Sequence, residues 1–294
     1  MRLSEFYNSV VRFGASHDPR KNNLAIKSFA DTRILYGRRS TQVKKILVGI
    51  DIGVGEILLA DRIRSKQGLD LIISHHPEGQ AYAHFYEVMR LQVDLLSRAG
   101  VELKAARSFL DERMREVARR VMPQNHMRSV DAARILGIPF MSMHTPADNH
   151  VYSFLKKLFS LKKPGKVKDV IDILNNIPEY QTAARELNLG PQIILGNLNR
   201  SAGKIMLEMT GGTEGPKEIY EKLRSKGIRT LVCMHLSEEH LKKVKDASLN
   251  VVIAGHISSD NLGLNLLLDN IEKQAGHSFY TIDCSGFRRI RRTG

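Results

Sequence analysis

Imidazole and carboxylate groups recur in this chain at the ends of short apolar runs. Leu71-Ile72-Ile73-Ser74 leads into His75-His76-Pro77-Glu78. Phe140-Met141-Ser142-Met143 leads into His144-Thr145-Pro146-Ala147-Asp148, and Val251-Val252-Ile253-Ala254-Gly255 into His256-Ile257-Ser258-Ser259-Asp260. Imidazole nitrogen with carboxylate oxygen is the donor mix favoured by zinc, iron, manganese and related divalent ions. Adjacent histidines in an extended segment point apart, so His75 and His76 suit two neighbouring ions better than one. His144/Asp148 and His256/Asp260 are each four apart, a spacing that shares one face where a turn continues into a helix. Taken singly, Asp148 or Asp260 could be an acid in a helix first turn, favoured by the dipole, and each histidine a turn residue. Three such arrangements at one kind of strand end favour a metal centre.

These runs must be strands whose carboxyl ends meet, because ligands of open α/β sheets gather where strands end and helices begin. Residues 45 to 51 read as a buried strand, 54 to 67 as an amphipathic helix and 69 to 74 as a second strand, which is a right-handed βαβ unit with parallel strands. Helical patterns follow over 82–98, 108–122 and 125–136, with a helical insertion near 100–137. Strand 140–144 leads to a helix from Pro146 to Leu158, with Thr145 as its N-cap and Pro146 in its first turn. Lys162-Lys163-Pro164-Gly165 marks a linker within 160–166. Strands are expected at 192–195, 204–209, 230–234, 250–254 and 278–283, with helices at 216–225, 237–247 and 260–274. Residues 1–43 read as a basic helical extension, from Phe6, Val10, Phe13 and then Ile26, Phe29, Ile34 at helical spacing. The fold class expected is α/β, with mixed, largely buried sheets flanked by helices over 44–294.

The composition bounds the function. With 294 residues, 42% hydrophobic and 26% charged, the chain can bury a core without staples and is neither fibrous nor largely disordered. Its two cysteines, Cys233 and Cys284, have no zinc-ribbon or disulfide-scaffold spacing and point to a reducing cytoplasm. No apolar run approaches a membrane span, and Met1-Arg2-Leu3-Ser4-Glu5 lacks the apolar core of a secretory signal. Forty-five Lys and Arg against 31 Asp and Glu give a net charge of +14, a field that draws in anionic small molecules. Its basic pairs, among them Arg20-Lys21, Lys162-Lys163, Arg288-Arg289 and Arg291-Arg292, are scattered. Aromatic residues are only 6%, so nucleic-acid binding through stacked bases has little support.

Other chemistries find no motif. Gly53-Val54-Gly55 lacks the third glycine of a dinucleotide fingerprint, and there is no Walker sequence and no Gly-x-Ser-x-Gly elbow. Gly211-Gly212-Thr213-Glu214-Gly215 fits a flexible turn better than an anion cradle. His84, His126, His235, His240 and His277 have no comparable partner spacing. Of these, His235 follows a strand and is a candidate to support the ligands.

Ser74-His75-His76-Pro77, His144-Thr145-x-x-Asp148 and Ala254-Gly255-His256 with a carboxylate four residues on resemble the Nif-three-like proteins, also described as GTP cyclohydrolase 1 type 2 homologues. Gly49-Ile50-Asp51, Gly211-Gly212 and the run from Met234 to Asn265 extend the match. The resemblance implies a dinuclear metal centre on an α/β fold in a ring-like homo-oligomer. It gives ligand roles to His75, His76, Asp148, His256 and Asp260, with His144 beside the metals. Asp260 stands where the family usually has Glu, the stretch between His76 and His144 is long, and residues 1–43 have no evident counterpart. The Asp-His-His phosphoesterases are a poorer match, since Ser74 precedes His75-His76.

The function expected is a metal-dependent hydrolase in which two divalent transition-metal ions hold and activate a water. His144 or Glu78 would move protons, and the substrate would be a nucleotide or another phosphorylated or cyclic-amide compound. The alternative is a non-catalytic metal-binding regulatory protein, associated or not with nucleic acid.

Overall fold

The computed structural model describes residues 1–20 and 22–292, so Lys21 of the first basic pair lies outside the described residues. The strands are β1 (Thr32–Tyr36), β2 (Lys45–Gly49), β3 (Leu71–Ser74), β4 (Phe140–Met143), β5 (Gln192–Leu195), β6 (Lys204–Glu208), β7 (Ile228–Cys233), β8 (Asn250–Ile253) and β9 (Tyr280–Cys284). The first six helices are α1 (Leu3–Ser16), α2 (Val54–Gln67), α3 (Gly79–Ala83), α4 (Leu91–Ala99), α5 (Leu103–Val121) and α6 (Arg128–Leu136). The remainder are α7 (Thr145–Lys162), α8 (Val167–Asn175), α9 (Pro178–Leu187), α10 (Tyr220–Ser225), α11 (Glu238–Asp246) and α12 (His256–Ala275).

The strands form two sheets, ordered β1-β4-β3-β2-β9 and β5-β8-β7-β6. Each is a parallel group closed by one antiparallel edge strand, β1 on β4 and β5 on β8. Alternation sorts the side chains of both sheets onto two buried faces. In the first, Leu47, Ile72 and Phe140 pack with residues of α2 and α6, whereas Val48, Ile73 and Met141 pack with α1 and α12. In the second, Leu207, Val232 and Val252 meet α7 and α8, while Met206, Leu231 and Val251 meet α10 and α11. Helices α7 and α12 contribute to the cores of both sheets and pack on each other. Their approach needs Gly263, where a Cβ would lie 2.5 Å from the carbonyl oxygen of Ala147.

Register brings the strand ends level. Gly49 pairs with Ser74 and Ser74 with Ser142, so Asp51, His75 and His144 leave the first sheet at one edge. In the second, Cys233 pairs with Ile253, so His235 and His256 also leave together.

Four local expectations are corrected. The helical spacing of Ile26, Phe29 and Ile34 gives way to strand β1, because its backbone groups can complete the open edge of β4. The pattern over 82–98 breaks into α3, a 3₁₀ segment Phe85–Arg90 and α4. Thr145 is the first residue of α7 rather than its cap, and His144 occupies the cap position. Gly211 and Gly212 form a packed turn, not a flexible one: φ is +102° and +87°, and the Gln92 side-chain amide donates to Gly211 O and Thr213 O.

Candidate metal centre

The two sheets face each other through the starts of α7 and α12. Asp148 lies in the first turn of α7 and Asp260 one turn into α12, and with the histidines they converge in one pocket. His75 Nε2 is 3.5 Å from Asp148 Oδ1 and 3.4 Å from Asp260 Oδ1. The other Asp260 oxygen, Oδ2, is 3.4 Å from His76 Nε2 and 3.6 Å from His256 Nε2. Asp260 therefore stands between two donor sets, His75/Asp148 and His76/His256. His144 presents a ring nitrogen to His75 and His76 as well.

These separations are long for charge-assisted hydrogen bonds. They match the roughly 3.3–3.4 Å between ligand atoms arranged tetrahedrally at about 2.0–2.1 Å from one cation. Among the described residues, His75 Nε2, Asp148 Oδ1 and both Asp260 oxygens are buried without a hydrogen-bond partner. Buried carboxylate oxygens left unpaired are costly, and a cation among them offsets that cost. Neither aspartate therefore fits the role of a dipole-favoured acid at a helix start. The residues present fit metal ions of imidazole and carboxylate preference.

The far sides of three imidazoles are anchored too. His75 Nδ1 donates to Met143 O at 3.2 Å, His76 Nδ1 to Asp51 Oδ1 at 2.7 Å and His144 Nδ1 to Asp31 Oδ2 at 2.8 Å. Such partners fix the tautomer that leaves Nε2 available as a ligand. Asp31 is itself held by the amide and hydroxyl of Thr145 and is fully buried.

Charge is shared unevenly. Burial drives the Asp148 carboxyl well above its ordinary range. Burial works the same way on Asp260, but His75, His76 and His256 together hold it low. Burial opposes a proton on His76, yet the neighbouring carboxylates of Asp260 and Asp51 outweigh it and raise the imidazole to about 10. Burial lowers His256 to about 4.

All five ligand candidates and His144 meet in this pocket. Glu78 stays outside the ligand groups: its amide donates to Ser142 Oγ, and burial pushes its half-buried carboxyl upward. His235 lies beside His256, ring centroids 5.0 Å apart with the planes tilted by 60°, and reaches Glu214 at 3.8 Å. Asp31 and the anchoring role of Asp51 went unread in the sequence. Asp51 follows a strand at the same edge as the histidines, so the strand-end rule could have found it; Asp31 precedes a strand and carries no such signal. The C-terminal arginines are already engaged: Arg289 pairs with Asp269 and Glu272, Arg291 with Glu272 and Arg292 with Glu179.

Fold and site define an α/β protein whose buried His/Asp clusters can hold metal ions, and no described helix is long and apolar enough to cross a membrane. No family model and no curated protein sequence matches the chain. Among solved structures, a NIF3 superfamily protein from Sphaerobacter thermophilus is similar, at 27% identity and TM-score 0.78, over 93% of this chain and 96% of that one. Reduced HcgD from Methanocaldococcus jannaschii shares the fold at 13% identity and TM-score 0.56, over 96% and 97% of the two chains. So does the protein ybgI, described as of unknown function, at 13% identity and TM-score 0.52, over 97% and 98%. With the His-His-Pro, His-Thr-x-x-Asp and Gly-His motifs gathered in one pocket, the likeness to the Sphaerobacter thermophilus protein supports a Nif-three-like assignment.

Proposed function

We propose that the protein is a dinuclear metal-dependent hydrolase. The observation that carries this reading is Asp260, whose two unpartnered oxygens face two separate donor sets. His75, Asp148 and Asp260 would hold one ion, and His76, His256 and Asp260 the other. Zinc, iron or manganese suits this nitrogen and oxygen set, which contains no thiolate. When bound, the pair would supply Lewis acidity and lower the pKa of a water.

The chain's own groups do the rest. Asp31 holds the His144 ring in place beside His75 and His76, leaving Nε2 to carry or release a proton. Glu78, with its carboxyl raised by burial, is the second group suited to proton transfer. His76 and His256 keep 27% and 39% of their side-chain surface exposed, whereas His75 has none, so substrate approaches from their side. The substrate is either an anionic small molecule, drawn by the positive field, or a cyclic amide. A ring-like homo-oligomer, as the resemblance implies, completes the reading, and two free cysteines suit a reducing cytoplasm.

Elemental analysis tests the premise: two equivalents of transition metal per chain are expected. Screening the metal-loaded protein against nucleotides, phosphoesters and cyclic amides should give turnover that Asp148→Ala abolishes. Metal binding with no turnover on any class would favour the regulatory alternative.

A further inference from the structure

A cavity of about 380 Å³ opens beside His256, between α9, β5 and the first turns of α12. Its walls are largely apolar: Ala183 and Leu187 of α9, Leu189, Ile194 of β5 and Ile257 of α12, with His256 among the lining residues. Leu187, Leu189 and Ile194 keep 59%, 59% and 42% of their surface exposed. Its ionic groups already have partners. Glu179 accepts from Arg292 and Asn265, and Glu186 lies 3.9 Å from Arg288. Two lining carboxylates against the single lining guanidinium leave no spare cation for a phosphoryl group.

We propose that this cavity takes the uncharged aromatic or alkyl-aromatic body of the substrate, setting its hydrolysable bond beside His256. The inference rests on the hydrolase reading and narrows it: the substrate class becomes neutral cyclic amides or imides fused to an apolar ring, rather than nucleoside phosphates. Size agrees, because about 150 Å³ suffices for one benzene ring and ligand pockets begin near 300 Å³. The reaction would add one water across a ring C–N bond, leaving a carboxylic acid and an amide or amine on one product.

Phthalimide, a neutral bicyclic imide, is a direct probe, with phenyl phosphate as its charged counterpart. Wild-type protein loaded with manganese should bind phthalimide and broaden its proton resonances through the nearby paramagnetic ion, with phenyl phosphate at least tenfold weaker. Ala183→Trp fills the cavity and Ile194→Lys charges its wall. Both changes lie on partly exposed surface, and each should weaken phthalimide at least tenfold at unchanged metal content and unchanged oligomeric mass. Two metal equivalents without phthalimide binding would overturn the cavity assignment and leave the hydrolase reading standing. Wild-type protein that takes up no transition metal would overturn the hydrolase reading and, with it, this narrowing of its substrate class. A change in oligomeric mass in Ile194→Lys, with phthalimide binding intact, would make the cavity a face between copies and end the proposal.

Discussion

The two donor sets that share Asp260 differ in their surroundings. His75 and Asp148 are almost wholly buried, rooted in β3 and in the first turn of α7, while His76 and His256 border solvent. The buried set has two unpartnered atoms besides the Asp260 oxygen; in the outer set, only the Asp260 oxygen is both buried and unpartnered. Desolvation makes electrostatic attraction to a cation stronger on the inner side, and access makes exchange faster on the outer. On the proposed reading, one pocket would combine a slowly exchanging position with an accessible one.

Asp260→Ala should break the comparison altogether, because it removes the group common to both sets. Both metal equivalents should be lost, a larger effect than the about 10–100-fold weakening typical of losing an outer hydrogen-bond partner; circular dichroism would confirm that α12 persists. His256→Ala separates the sets. It should cost about one equivalent and spare the inner position, whereas Asp148→Ala should remove the inner ion; full metal content in His256→Ala would reject the site.

Proton linkage sharpens the contrast. A histidine must lose its second proton to ligate, and His76 keeps it up to about 10 in the metal-free protein. Outer-site affinity should therefore rise with pH through the neutral range, by up to about tenfold per unit, and fall on acidification. Calorimetry in buffers of different ionisation enthalpy should register about one proton released from His76 per outer ion bound.

Asp51→Ala loses the anchor of His76 and should weaken only the outer position, at the low end of the about 10–100-fold range, since its side chain is mostly exposed. Equal weakening of both positions would argue that the sets are not independent. Gly263→Ala acts on the frame rather than on a ligand: it forces α12 away from Ala147 O and should lower stability by about 1–3 kcal/mol in thermal or urea unfolding.

Much of this was legible in the residues. Eight strands were readable from their sequence, and the donors follow three of them, β3, β4 and β8, whose apolar runs are those of strands buried on both faces. Strand β1 escaped because Thr32-Arg33-Ile34-Leu35-Tyr36 is a half-buried edge with no such run, and its pairing with β4 is a contact across more than a hundred residues. Asp31 escaped for the same reason: its partner His144 is 113 positions away. The division into buried and open donor sets was not legible either. It depends on how closely α7 and α12 cross, which a single glycine allows but does not announce.

The donors span positions 75 to 260 and come from both sheets. A chain growing from its amino end would therefore hold no complete cation cage until α12 had been made and had docked against α7. On the proposed reading, capture of both ions would be completed only late in biosynthesis, and fragments ending before residue 256 should lack both of the positions that Asp260 completes.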